Sequence, residues 1–170
     1  MAGQRRQHIV TKFQRLHVGC TPICIVPSCN RGGCSIRFAS RQVRCVDCDK
    51  CDAFSGANAV KKPDFVLLSI VENASDSTWL VVEMKTRAGH VSSIVEQLQA
   101  GADTIQDNIK FAFAESPPRI VPVLLHERGI HTADVQVLNR QRIQFAGKPW
   151  AIRTRRCGVD LSTLISPSSL

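Results

Sequence analysis

Two apolar, β-branched runs separated by a polar stretch dominate the hydropathy pattern. The first covers residues 64–71 and contains Phe65, Val66, Leu67 and Leu68; the second covers residues 78–84 and contains Trp79, Leu80, Val81 and Val82. Uninterrupted apolar runs of this length predict buried strands. The polar residues 72–77 between them predict a turn, and so an antiparallel hairpin. After a loop at 86–92, Ser93 with Glu96 three residues on reads as a capping box. Ile94, Leu98, Ala102, Ile105 and Ile109 then recur on one face of a helix that Ser116-Pro117-Pro118 stops. Residues 120–125 predict another buried strand, although Pro122 argues against a fully paired central position. Three short strands are expected at 135–138, 142–145 and 150–154, the last two separated by Gly147-Lys148-Pro149. Upstream the pattern is weaker. Ile9, Val10, Phe13, Leu16 and Val18 permit a short helix, residues 20–34 read as loop, residues 35–46 as a strand or hairpin, and residues 47–59 as turns. The tail at 166–170 is expected to fray.

The order strand, hairpin, helix, strand implies an α/β domain with a mixed β-sheet flanked by helices, antiparallel at the hairpin and parallel where the helix crosses over. At 170 residues and 44% hydrophobic, the chain makes one domain with a real core. We divide it into a basic, Cys-rich N-terminal segment (residues 1–55) and a core (residues 56–170). No apolar stretch reaches the length of a membrane span, and the basic N-terminus lacks an apolar signal region, so a cytoplasmic protein without membrane contact is expected. The formal charge of +8 suits a polyanionic partner, nucleic acid above all. Its basic residues gather around Arg5 to Arg15, Arg31 to Arg44, and Arg140 to Arg156.

Charge placement changes the picture from fold to chemistry. Asp64 heads the first strand of the hairpin, while Glu83 and Lys85 end the second. Ionised groups at the ends of buried strands are costly unless paired or bound to metal. An antiparallel hairpin brings the start of one strand to the end of the next, so the three residues meet at one sheet edge. Glu83 and Lys85, two apart, share a face. Asp64 and Glu83 supply carboxylate oxygens for Mg²⁺ or Mn²⁺, with the Met84 carbonyl as a further ligand. Lys85 is suited to orient the attacking water or to stabilise charge on phosphate.

Pro63-Asp64 followed by Glu83-Met84-Lys85, each in strand context and followed by an amphipathic helix, resembles the PD-(D/E)xK nuclease superfamily, to which restriction endonucleases belong. The resemblance covers residues 60–125. It implies a restriction endonuclease-like fold and Mg²⁺-dependent phosphodiester hydrolysis, in DNA rather than RNA. It further implies Asp64 and Glu83 as metal ligands and Lys85 as the catalytic lysine. Many relatives add a glutamine on the next helix, and Gln97 is preferred here over Gln99. An upstream acidic ligand is also common; Asp47, Asp49 and Asp52 are equal candidates. The resemblance implies a homodimer or recruitment by a partner, in a setting such as repair or anti-phage defence. The rival readings are a zinc-stabilised nucleic-acid-binding module without catalysis and a structural subunit of a larger complex.

Seven of the eight cysteines lie between Cys20 and Cys51. In a chain without a signal peptide, metal binding or free thiols are expected ahead of disulfides. Cys45, Cys48 and Cys51, spaced by two residues, fit a zinc knuckle and less well part of an iron–sulfur site. Cys20, Cys24, Cys29 and Cys34 offer a second thiolate set. His8 and His17 are weak candidates to complete a zinc site, His90 is weak for phosphate, His126 lacks a partner motif, and Cys157 is read as structural.

Overall fold

The structure is a computed structural model. It describes residues 25–38, 43–54, 61–69, 78–87, 90–109 and 119–166. The expected N-terminal helix, His8, His17, Cys20, Cys24, the turn at 72–77, the helix stop and the end of the tail lie outside the described residues.

The chain is a mixed α/β protein built on a six-stranded sheet. In chain order the described elements begin with β1 (Ile25–Val26), β2 (Cys29–Arg31), β3 (Cys34–Arg37), β4 (Val43–Asp47), β5 (Phe65–Ser69) and β6 (Thr78–Lys85). Helix α1 (Val91–Ile109) crosses over to β7 (Arg119–His126), and α2 (Thr132–Arg140) follows. The rest comprises β8 (Arg142–Phe145), β9 (Lys148–Ala151), β10 (Arg153–Arg156), β11 (Val159–Asp160) and α3 (Leu161–Ile165). The main sheet runs β1-β4-β5-β6-β7-β10. β4, β5 and β6 are an antiparallel meander, whereas β7 is parallel to β6 and β10 parallel to β7.

Strands β5 and β6 read as unbroken apolar runs because both faces are covered. On one face Val66, Leu68, Trp79 and Val81 pack against Ile94, Leu98, Ala102 and Ile105 of α1. On the other, Phe65, Leu67, Leu80 and Val82 pack against Cys29, Ile36, Leu161 and Leu164, from the small sheet β11-β3-β2 and α3. Gly101 lets α1 approach closely: a Cβ there would stand 2.5 Å from Val81 and 2.7 Å from Pro63.

Several expectations need correction. The hairpin and crossover strand lie where the pattern put them, but α1 starts at Val91, its Ile94 N–H bonding the His90 carbonyl. Ser93 and Glu96 therefore lie within the helix and form no capping box. Residues 135–138 are helical: Leu138 alone in α2 is fully buried, so a single apolar side chain anchors the segment to the core. β7 is central despite Pro122, because β10 joins only from Val123 onward, leaving Pro122 beside β6 alone. Residues 150–154 divide between β9 and β10. Part of the supposed loop at 20–34 is strand: β1 pairs with β4, and β2–β3 is a hairpin whose turn, Gly32-Gly33, has both φ angles positive, at 56° and 85°. Both strands of a two-residue hairpin twist correctly with such a turn. The boundary near residue 55 separates no bodies here, since β4 is hydrogen-bonded inside the main sheet and β3 pairs with β11.

Candidate active site

The register of β5 on β6 pairs Phe65 with Val82, so its next step sets Asp64 opposite Glu83. Three bonds hold Asp64. Its carbonyl accepts from the Cys48 N–H at 3.1 Å, its Oδ2 from the Met84 N–H at 2.7 Å, and its Oδ1 from Arg31 Nη1 at 2.5 Å. Glu83 is 1% exposed. Its Oε1 meets Lys85 Nζ at 2.5 Å, and its Oε2 is buried without a partner. Burial, then the Asp64 charge, pushes the Glu83 carboxyl up to about 7 against the pull of Lys85. Lys85 shares the Glu83 face of β6 and lies in register with His126 on β7, which in turn faces Arg156 on β10. Burial and Arg156 hold the His126 imidazole below its ordinary value.

Helix α1 contributes Gln97. Its Nε2 donates to the Lys62 carbonyl at 3.2 Å, just before Pro63-Asp64, and its Oε1 is buried without a partner. Gly101, one turn on, permits that approach. Gln99 points elsewhere, bonding Asp103 and both backbone groups of Gln144. His90 is exposed at the start of α1.

Sequence reasoning missed Arg31 as a site residue. From the tip of the β2–β3 hairpin its guanidinium contacts Asp47 Oδ1 at 2.9 Å, Asp49 Oδ2 at 2.6 Å and Asp64, and it lies 5.0 Å over the Phe65 ring. Burial opposes its charge, yet Asp64, Asp49 and Asp47 hold its pKa above the ordinary value. Lys62 pairs with Asp49 at 3.2 Å and Lys50 with Asp47 at 3.5 Å. Asp47, Asp49, Asp64 and Glu83 are thus matched by Arg31, Lys50, Lys62 and Lys85. Of the upstream acids, Asp47 and Asp49 reach Asp64 through Arg31; no contact links Asp52 to them. The signal for Arg31 was a tight Gly-Gly turn beside a lone arginine, but its target was not readable.

The donors fit a hard divalent cation in kind: two opposed carboxylates, one with an orphaned buried oxygen. The fit is limited in number, since among the described residues no group of three or more His, Cys, Asp or Glu side chains is arranged to hold a metal. Arg31 already serves as a cation on Asp64.

The cysteines are arranged otherwise than expected. Cys29 is bonded to Cys45 and Cys34 to Cys157, while Cys51 is also in a disulfide. Cys48 is a buried free thiol, raised well above its ordinary value by burial and by Asp47 and Asp64. Sulfurs joined in this way are not thiolates, so Cys45, Cys48 and Cys51 do not assemble as a zinc or iron–sulfur set in this form. Cysteine spacing alone did not reveal the pairing. No helix among the described residues is long and apolar enough to cross a membrane.

Comparisons with protein-family models, characterised proteins and solved structures gave no match.

Proposed function

We propose that the chain is a Mg²⁺-dependent nuclease of the PD-(D/E)xK type, hydrolysing phosphodiester bonds in DNA. The observation that carries the reading is the meeting of Asp64, Glu83 and Lys85 at the adjoining ends of β5 and β6, with Gln97 of α1 bonded to the Lys62 carbonyl two residues before Asp64. The meander, crossover helix and parallel strand also occur in the order that the resemblance implies. Asp64 and Glu83 would hold the cation. When bound, it supplies charge neutralisation and a more acidic water. Lys85, the last residue of β6 and paired with Glu83, would orient a water and meet the charge developing on phosphate. Gln97 braces the segment that carries Asp64. Arg31 pairs with Asp64 Oδ1 and would have to release it for a cation to bind there.

A second reading has its own support: with Arg31 seated on three carboxylates, the same site suits a protein that binds nucleic acid without cutting it. Supercoiled plasmid incubated with protein and Mg²⁺ separates the two. The nuclease reading expects nicking by wild type, none with EDTA, and a loss of about 10³-fold or more for Lys85→Ala. Retention of uncut plasmid by both proteins leaves only the binding reading.

A further inference from the structure

Away from Asp64 and Glu83, the start of β7, the edge strand β10, β9 and α2 enclose a cleft of about 490 Å³. Arg119, Arg153 and Arg155 line it together with Trp150, Ile152 and Asn139. Arg153 and Arg155 share one face of β10. None of the three arginines has a carboxylate partner among the described residues. Arg153 donates to the Leu164 carbonyl at 2.5 Å and the Ser166 carbonyl at 2.7 Å, which fixes its guanidinium. Burial first, then the charges of Arg119 and Arg155, lowers its pKa below the ordinary value. Trp150 is also oriented, its indole N–H donating to the Phe145 carbonyl at 3.3 Å.

From this geometry we infer that the cleft binds a single nucleic-acid strand, with phosphates on Arg119 and Arg155 and a base against Trp150. Crowded guanidiniums without counter-charges favour a polyanion, and an aromatic ring beside them favours one that carries bases. The strand also has a path onward. β10 carries Arg156 to the opposite face, in register with His126 and Lys85. The distance is about 10 Å along β10 and about 10 Å across to β6. The inference rests on the nucleic-acid half of the proposed function and not on cleavage.

The test is binding of a fluorescein-labelled 12-nucleotide oligo(dT) to the full chain in EDTA, where no hydrolysis occurs. Arg119→Gln/Arg155→Gln should lower the slope of log affinity against log salt by about 1.4, roughly 25-fold in affinity at 0.1 M salt. The exposed double variant Arg37→Gln/Lys61→Gln removes the same charge elsewhere and should leave the slope within about 0.5 of wild type. Trp79 is 2% exposed, so quenching of tryptophan emission by the oligonucleotide should come from Trp150 and vanish in Trp150→Phe. Equal losses in the two double variants, unaltered quenching in Trp150→Phe, or tighter binding of a duplex or of polyglutamate would each overturn the inference. A chain that binds the strand but never cuts DNA keeps the cleft and defeats the nuclease; one that cuts with unchanged binding in Arg119→Gln/Arg155→Gln does the reverse.

Discussion

Burial in the fold controls the charge state of Glu83. Its carboxyl, raised from 4.5 to about 7 by burial and Asp64, holds its proton more firmly folded than unfolded. A raised pKa contributes stability that is complete below about pH 4.5 and lost as pH climbs through about 7. The window is worth up to about 3 kcal/mol. Glu83→Gln should therefore be more stable than wild type at pH 8 in EDTA, by up to about 3 kcal/mol in urea unfolding, and level with it near pH 4. The same variant should not cleave. In wild type, the acid limb of cleavage should lie near pH 7 and move lower as Mg²⁺ is raised, because cation and proton compete for one carboxylate. An acid limb near pH 4.5 at low Mg²⁺ would show that Glu83 is solvated rather than buried.

At the scale of elements, the site depends on how closely α1 lies on the meander. A methyl at position 101 would collide with Val81 and Pro63, so Gly101→Ala should cost about 1–3 kcal/mol by overpacking. It should also lift Gln97 from the Lys62 carbonyl and reduce cleavage by more than the loss of folded protein explains; thermal melts beside single-turnover rates measure both. The long elements were legible because burial on two faces writes itself as an unbroken apolar run, as in β5, β6 and β7. Asp64, Glu83 and Lys85 were legible as a group because hairpin pairing is local. The short elements were not. One buried leucine in α2 leaves no periodicity to read, and β9 and β10 divide within a single run. Arg31 was invisible for a different reason: its partners are 16 or more residues away, at the end of β4, just after it and just before β5.

Across the whole molecule, the N-terminal segment is a structural half of the site rather than an appendage. It supplies β4 to the sheet, Arg31 and Asp47 to the charge network, and Cys29 and Cys34 to the bonds that hold the small sheet. Cys34–Cys157 spans 123 residues and ties the Arg31 hairpin to the end of β10. Closing so long a loop is worth roughly 4–5 kcal/mol in the chain-entropy model. Cys34→Ser/Cys157→Ser should lose a comparable amount in denaturant titration of oxidised protein, and a thiol reductant should cost it nothing further at this pair. A double variant as stable as wild type would mean that packing alone holds the hairpin. Cysteine counting could not foresee this, because the two sulfurs meet only after the sheet has formed.

On the proposed function, Asp64 and Glu83 would form a divalent-cation site that Arg31 guards. Crystals soaked in Mn²⁺ and measured for anomalous scattering test it most directly. A divalent-cation site should give a peak between the two carboxylates, with the Arg31 guanidinium withdrawn from Asp64 Oδ1. The contradicting result is no peak above noise there at saturating Mn²⁺, with Arg31 still bonded to Asp47, Asp49 and Asp64.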